Sequence, residues 1–441
     1  MARAVPPDRE ETSLAVAILS SPRLSAALTT ASIGTAVLSF AIRQTIGWAG
    51  LIGVLVGLVA LTMASLAAQW KQIEWRGLLP LSLLVFVGWA AASLFWSQYH
   101  WATLGGLAYL AAFTLIGIYV GLARDTIQIV RAFGDVLRVV LGASLVLEIF
   151  SGLIIDAPLH FLGIAGDIAY FGPIQGLLGT RNQLGLVSVL ALVTFAIEML
   201  TKSVTRGVAI FSIIGASITL ILTRAPLAYG ALIIVAAAAA VVFGLRRAPA
   251  AIRPYLQIAT LLVTAGLAAA GWANRGVIVR LFNAGGDLTY RLGVWQRVWA
   301  LVQQYPLQGW GWIGIWRDKI TPFFQLSGTS GRTTDSALNG YLDVWFQLGL
   351  VGFLVFLGFV GLTFTRSWLL ASRRRNVVFA WPALVLVVLL IGALAESSIL
   401  IEFGWLTLVA CAVKASRELS WRGAFDAQTP NDDAPLPREG K

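Results

Sequence analysis

The chain has 441 residues, of which 58% are hydrophobic and only 12% charged, with a formal net charge of +11. Soluble domains carry about a quarter charged residues, so this composition excludes an ordinary water-exposed globule. The basic excess would suggest nucleic acid in a soluble protein, but here it punctuates apolar runs and reports topology. Taken in chain order, apolar runs of roughly 17–25 residues, the length a helix needs to cross hydrocarbon, fall at 24–42, 47–68, 77–96, 101–122, 135–155, 183–200, 207–222, 226–244, 255–273, 339–365, 377–395 and 398–414. Unpaired backbone groups are costly in lipid and no alternating barrel pattern occurs, so an all-α polytopic membrane protein of about twelve transmembrane helices is predicted. The one cysteine, Cys411, lies inside the last run, which excludes an internal disulfide and a thiolate metal cluster.

Orientation follows from the linkers. Arg23, Lys71 and Arg76, Arg124 and Arg131, Lys202 and Arg206, Arg246, Arg247 and Arg253, Arg373 to Arg375, and Lys414 with Arg417 and Arg422 occupy alternate ones. The positive-inside rule places these in the cytoplasm, and both termini with them. The apolar stretch after Arg23 has no clear small-residue cleavage site and reads as a first span, not a signal peptide. The expected organisation is a cytoplasmic segment 1–23, a transmembrane domain 24–414, a helical extracytoplasmic loop 274–338 between the ninth and tenth spans, and a cytoplasmic tail 415–441. The tail is rich in Pro and Asp with almost nothing apolar toward its end, so it is expected to be largely disordered.

Three polar constellations break the apolar background, and all map to the outer side. Arg224 sits in a very short turn against the topological bias, followed by Pro226, a favoured first-turn residue that leaves N–H groups free for an anion. The bland reading is an arginine snorkelling to lipid phosphate. In 290–302, apolar residues recur at Val294, Trp295, Val298, Trp299 and Val302, the spacing of an amphipathic helix stopped by Pro306, Gly309 and Gly311. Arg291 falls on that apolar stripe and calls for a counter-ion, whereas Arg297 points the other way; a helix lying on the membrane surface is the alternative. Finally, Asp335, Asn339, Asp343 and Gln347 recur every fourth position and predict a polar stripe at the outer end of the tenth span. An acid at mid-bilayer costs roughly 2.5–3.5 kcal/mol, so Asp343 should face the bundle interior or a wet cavity. Glu396 could join the same cavity or stay exposed in its turn. Helix-gluing hydrogen bonds are the alternative role for the stripe. His100, among Trp96, Tyr99 and Trp101, reads as part of an interfacial belt, and His160 as a loop residue.

Gly179-Thr180-Arg181-Asn182-Gln183-Leu184-Gly185, the Leu222-Thr223-Arg224 turn, Arg291 with Trp295, Pro306 and Gly309-Trp310-Gly311, and the block Asn339-Gly340-Tyr341-Leu342-Asp343 through Gly352 resemble the O-antigen ligase and Wzy-type polymerase superfamily, especially its exopolysaccharide-production branch. The likeness extends from about the fifth span to the C-terminus. It implies a GT-C-like membrane glycosyltransferase of the inner membrane, needing no metal or cofactor. Such an enzyme moves a glycan from an undecaprenyl diphosphate carrier to a glycan or lipid acceptor outside the membrane, alongside polysaccharide-assembly proteins and membrane lipids, with no role for nucleic acid. The resemblance further implies that Arg224 and Arg291 hold the diphosphate, with Arg181, Asn182, Asn339 and Tyr341 in substrate binding. The family histidine usually precedes the Asn that matches Asn339, and Leu338 stands there instead. The acceptor base would then be a carboxylate, Asp335, Asp343 or Glu396. A flippase for lipid-linked sugars and a non-catalytic assembly partner are the competing readings.

Overall fold

Long apolar stretches with few internal breakers satisfy their backbone only as helices, and helices are what the chain forms. In the computed structural model, residues 14–70, 80–249, 251–274, 276–277, 285–317, 319–327 and 334–418 are described. In order they form α1 (Leu14–Leu19), α2 (Pro22–Val37), α3 (Ser39–Ala68), α4 (Leu81–Ala92), α5 (His100–Ala123), α6 (Thr126–Ile149), α7 (Arg181–Thr201), α8 (Arg206–Thr223), α9 (Pro226–Arg247), α10 (Arg253–Ala273), α11 (Gly285–Val302), α12 (Phe323–Ser327), α13 (Gly340–Arg373), α14 (Ala380–Gly392) and α15 (Glu402–Glu418). Among the described residues the only extended pairing is an isolated bridge between Leu159 and Ile164.

Seven of these helices, α3, α5, α6 with its continuation to Ile155, α7, α8, α9 and α13, are long and apolar enough to cross a membrane. The other predicted spans fall on α2, on α4 with its extension to Phe95, on α10, on α14 and on α15. The first predicted run, 24–42, does not stay whole. α2 ends at Val37 and α3 begins directly after Leu38, then bends again at Gly47, whose φ of 73° no helix contains. Hydropathy is blind to the break at Leu38, whereas the bend at Gly47 falls where the runs 24–42 and 47–68 are separated in sequence. The segments 1–13 and 419–441 lie outside the described residues, and with them the expected tail.

In lipid there is little hydrophobic force between helices, so close approach of small residues and buried hydrogen bonds carry the association. Gly117 and Gly121 of α5 lie directly against Val409 and Val413 of α15. The Trp405 indole donates to Thr114 Oγ1 at 2.8 Å, and the Trp381 indole donates to Thr194 Oγ1 at 3.0 Å. Outward-facing Val56, Phe211, Ile221 and Leu261 are exposed, which suits a hydrocarbon surround and not water.

The two ends of the bundle differ chemically. At one end, basic side chains cap helix C-termini, where the dipole is negative and carbonyls are unpaired. Arg246 donates to the Ala371 and Arg375 carbonyls, Arg253 to Ala248 O and Arg417 to Leu122 O. At the other end, carboxylates, arginines and amides converge.

That second end is shaped by a break in α13 at Gly349, whose φ of 68° and ψ of −173° belong to a region essentially reserved for glycine. The loop 306–311 fills the interrupted ladder. Trp310 N and Gly311 N donate to Phe346 O and Gln347 O, while Leu350 N and Val351 N donate to Pro306 O and Leu307 O. A Cβ at Gly349 would lie 2.1 Å from Leu307 O, and one at Gly309 would lie 2.5 Å from Gln347 O. The indoles of Trp89 and Trp96 satisfy Leu348 O and Gln308 O.

Candidate functional site: a charged cluster at one end of the bundle

α11 carries Arg291 onto its buried face together with Val294, Val298 and Val302. The buried stripe is rotated slightly from the one read in sequence. Trp299 is exposed and packs edge-on against Trp345, and Arg297, expected to point away, is half-buried with its Nε enclosed. Leu301 takes the inward place instead.

The counter-ion that Arg291 requires is Glu396. Arg291 Nη2 lies 2.9 Å from Glu396 Oε1, and Nη1 donates to Ala395 O and, at 3.4 Å, to Leu338 O. Asn182 Nδ2 donates to the same carboxylate oxygen at 3.0 Å. Its Oδ1 is buried without a hydrogen-bond partner. Burial pushes the Glu396 carboxyl above the usual carboxylate range, opposed by the Arg291 guanidinium and by the hydrogen bond from Asn182.

Arg181 opens α7, after the Thr180 side chain caps the helix by accepting from Gln183 N. Its guanidinium lies 2.5 Å from Asp287 of α11, with about a third of the side chain exposed. One turn further, Gly185 abuts Thr223 and Ala225, the neighbours of Arg224. Arg224 ends α8 in the left-handed conformation (φ 46°), is exposed, and donates to Tyr170 O at 3.2 Å. Pro226 starts α9 as its spacing predicts. Arg224 and Arg181 therefore share one end of the bundle, whereas Arg291 stands deeper and already holds three protein acceptors.

The polar stripe is divided between two environments. Asp335 and Asn339 do not lie on a helix with Asp343 and Gln347. Leu338 is left-handed (φ 51°) and Asn339 extended (φ −164°), so the chain turns there and α13 starts at Gly340. Asn339 is the cap, its Oδ1 accepting from Tyr341 N and Leu342 N at 3.1 Å each. The Tyr341 hydroxyl donates to Leu390 O. Asp343 is fully buried. Its oxygens accept from Trp316 Nε1 at 3.0 Å, Gln347 Nε2 at 2.8 Å and Ala337 N at 3.2 Å. Gln347 Oε1 in turn accepts from Ile313 N and Gly314 N. This carboxylate and amide tie the loop to α13. Asp335 is the exposed carboxylate of the group, and its backbone carbonyl accepts from Trp316 N at 2.8 Å.

Glu402, Arg43 and Tyr109 escaped the sequence reading. Arg43 lies 2.8 Å from Glu402 Oε1, the Tyr109 hydroxyl donates to that oxygen at 2.9 Å, and Arg43 stacks over Trp48. The available signal was an acid within an apolar run, the same reasoning that singled out Asp343. His100 and His160 are exposed at the starts of α5 and of a short 3-10 turn. Among the described residues no group of three or more His, Cys, Asp and Glu is placed to hold a metal ion.

Fold and cluster together define a multi-pass helical membrane protein with a cation- and carboxylate-rich site at one end. Residues 209–357 match the family model described as O-antigen ligase, which supports on that segment the resemblance to the O-antigen ligase and Wzy-type polymerase superfamily. The match covers about a third of the chain and holds Arg224, Arg291, Asp335, Asn339, Tyr341 and Asp343, while Arg181, Asn182 and Glu396 lie outside it. No curated protein matches this chain. The family match and the membrane-helical architecture support a membrane ligase or polymerase in polysaccharide assembly.

Proposed function

We propose that this protein transfers or polymerises undecaprenyl-diphosphate-linked oligosaccharides at the outer face of the cytoplasmic membrane, as a twelve-span enzyme with both termini inside. The observation that carries this reading is the convergence of Arg181, Arg224, Arg291, Asn182, Asp335 and Glu396 from distant segments at the end opposite the basic caps.

In the proposed reaction an acceptor hydroxyl attacks the anomeric carbon of the donor sugar and the bond from that carbon to the phosphate oxygen breaks. The lipid diphosphate leaves with the electron pair, and the hydroxyl proton passes to a carboxylate. Arg181 and Arg224, the accessible guanidinium groups, receive the diphosphate charge. Arg291 stands behind them as a positioning residue that fixes Glu396, and through it Asn182, in the wall. Asp335 is the acceptor base, because Asp343 has its oxygens filled by three donors and Glu396 is held by Arg291. No residue named here depends on a metal.

The test is leaflet-resolved. In cells expressing Arg181→Ala, Arg224→Ala or Asp335→Asn, polymer should be lost and repeat units should accumulate on the outer leaflet. Accumulation on the inner leaflet would establish a flippase instead, and unchanged polymer would remove the enzyme reading.

A further inference from the structure

Glu148 of α6 is a fully buried acid with no part in the proposed transfer. An ionisable group at membrane depth is costly and calls for a named partner. Its partners are backbone donors from the loop between α6 and α7. Glu148 Oε1 accepts from Gln175 N and from Gly176 N, each at 2.8 Å. One turn back on the same helix, Ser144 Oγ accepts from Leu177 N at 3.1 Å. Three successive N–H groups are thus gripped by one face of α6. The approach is close: Gly176 has a φ of 54°, and a Cβ there would stand 2.5 Å from Ser144 Cβ.

The gripped segment joins the two accessible guanidinium groups. On its C-terminal side only Leu178 and Gly179 separate Leu177 from the Thr180 cap, after which Arg181 opens α7. On its N-terminal side Ile174 N donates to Leu222 O at 3.1 Å. That carbonyl lacks a helical partner because the residue four positions on is Pro226, which has no N–H. Two residues beyond Leu222 stands Arg224, whose guanidinium donates to Tyr170 O of the same segment at 3.2 Å. Residues 170–181 therefore form a strap that runs from the Arg224 turn, across Glu148, to Arg181.

A diphosphate presents two linked phosphates, so the hold of two guanidinium groups on it depends on their relative placement being fixed in advance. A monophosphate, which one guanidinium can satisfy, is indifferent to that register. We infer that Glu148 is a positioning residue for the lipid diphosphate: by anchoring Gln175 and Gly176 it holds Arg181 and Arg224 in register for the two phosphates. The inference rests on the transfer reading, which assigns the diphosphate to these arginines, and deepens it. Glu148 acts through the strap and touches no substrate.

The test compares the affinities of the purified full-length protein for undecaprenyl diphosphate and for undecaprenyl phosphate, read by native mass spectrometry. The wild type should favour the diphosphate by about tenfold or more, the contribution of one further charge-assisted hydrogen bond. Glu148→Leu, which leaves Gln175 N and Gly176 N without their acceptor, should bring that preference down to about twofold or less, with Ser144→Ala between the two. Glu148→Gln keeps an oxygen that can accept both N–H groups and should keep the preference. Trp405→Phe, which removes a buried hydrogen bond between α15 and α5, is the destabilised control and should keep it too. An undiminished preference in Glu148→Leu, a loss in Glu148→Gln equal to that in Glu148→Leu, or an equal fall in Trp405→Phe would overturn the inference and leave the transfer reading standing. Should Glu148→Leu not fold, Ser144→Ala decides by the same measure. A wild type with no diphosphate preference, or a preference kept in both Arg181→Ala and Arg224→Ala, defeats the diphosphate assignment of the transfer reading and this inference with it.

Discussion

The Arg291 guanidinium lies 2.9 Å from the Glu396 carboxylate, joining the amphipathic helix α11 to the turn between the last two helices across 105 residues of sequence. With side-chain exposures of 11% and 10%, the pair is nearly withdrawn from solvent. Removing one partner from such a pair leaves a buried charge uncompensated, at a cost of about 3–5 kcal/mol. Arg291→Ala and Glu396→Ala should each lower the thermal midpoint of the purified protein sharply, and the double variant should lose much less than the sum. Additive losses in that cycle would deny the coupling.

Asp343 and Asp335 should separate stability from activity. Asp343→Asn replaces an acceptor oxygen by an amide facing backbone and side-chain donors, and each buried group left unsatisfied costs about 1–3 kcal/mol. A destabilised protein is expected, read by thermal unfolding in detergent. Asp335→Asn, at an exposed position, should keep the wild-type midpoint within about 0.5 kcal/mol while polymer disappears.

Gly349→Ala should fail to give a stable protein. Backbone held in this glycine-only region costs an L-residue of order 1–3 kcal/mol, and the new methyl would meet Leu307 O at 2.1 Å. Gly358→Ala, where an added Cβ meets nothing within 4 Å, serves as the control and should behave as wild type. Comparable yields and melting curves for the two would contradict the role given to the break.

Arg181→Ala is expected to leave the fold nearly intact, because its ion pair with Asp287 is partly exposed and such pairs contribute about 0–1 kcal/mol. Its effect should appear as lost polymer and weaker retention of a polyprenyl diphosphate by the purified protein. Asp287→Asn, which frees the guanidinium, should not weaken that retention; a matched loss in both variants would make the pair structural.

What could be read in advance follows from the cost of charge in an apolar setting. Arg291 on an apolar stripe and Asp343 in a span had to find partners, and both did. The identity of those partners depended on how the chain turns. Leu338 in the left-handed region made Asn339 a cap and detached Asp335 from the helix, something periodicity cannot express. Hydropathy also passed over Gly349, since a glycine in an apolar run looks the same whether it packs helices together or bends one. The Glu402, Arg43 and Tyr109 group combines residues from three helices widely separated in sequence, each of which alone looks like an isolated exception.

The splice at Gly349 makes the loop 306–311 part of the helix it completes. The first turns of α13 are thus fastened by a borrowed strand of peptide as well as by their own ladder, and Asp343 sits on that stub. Any displacement of the loop, whether by a bound sugar or by cleavage nearby, must therefore carry the head of the helix with it, like a key attached to its own lock.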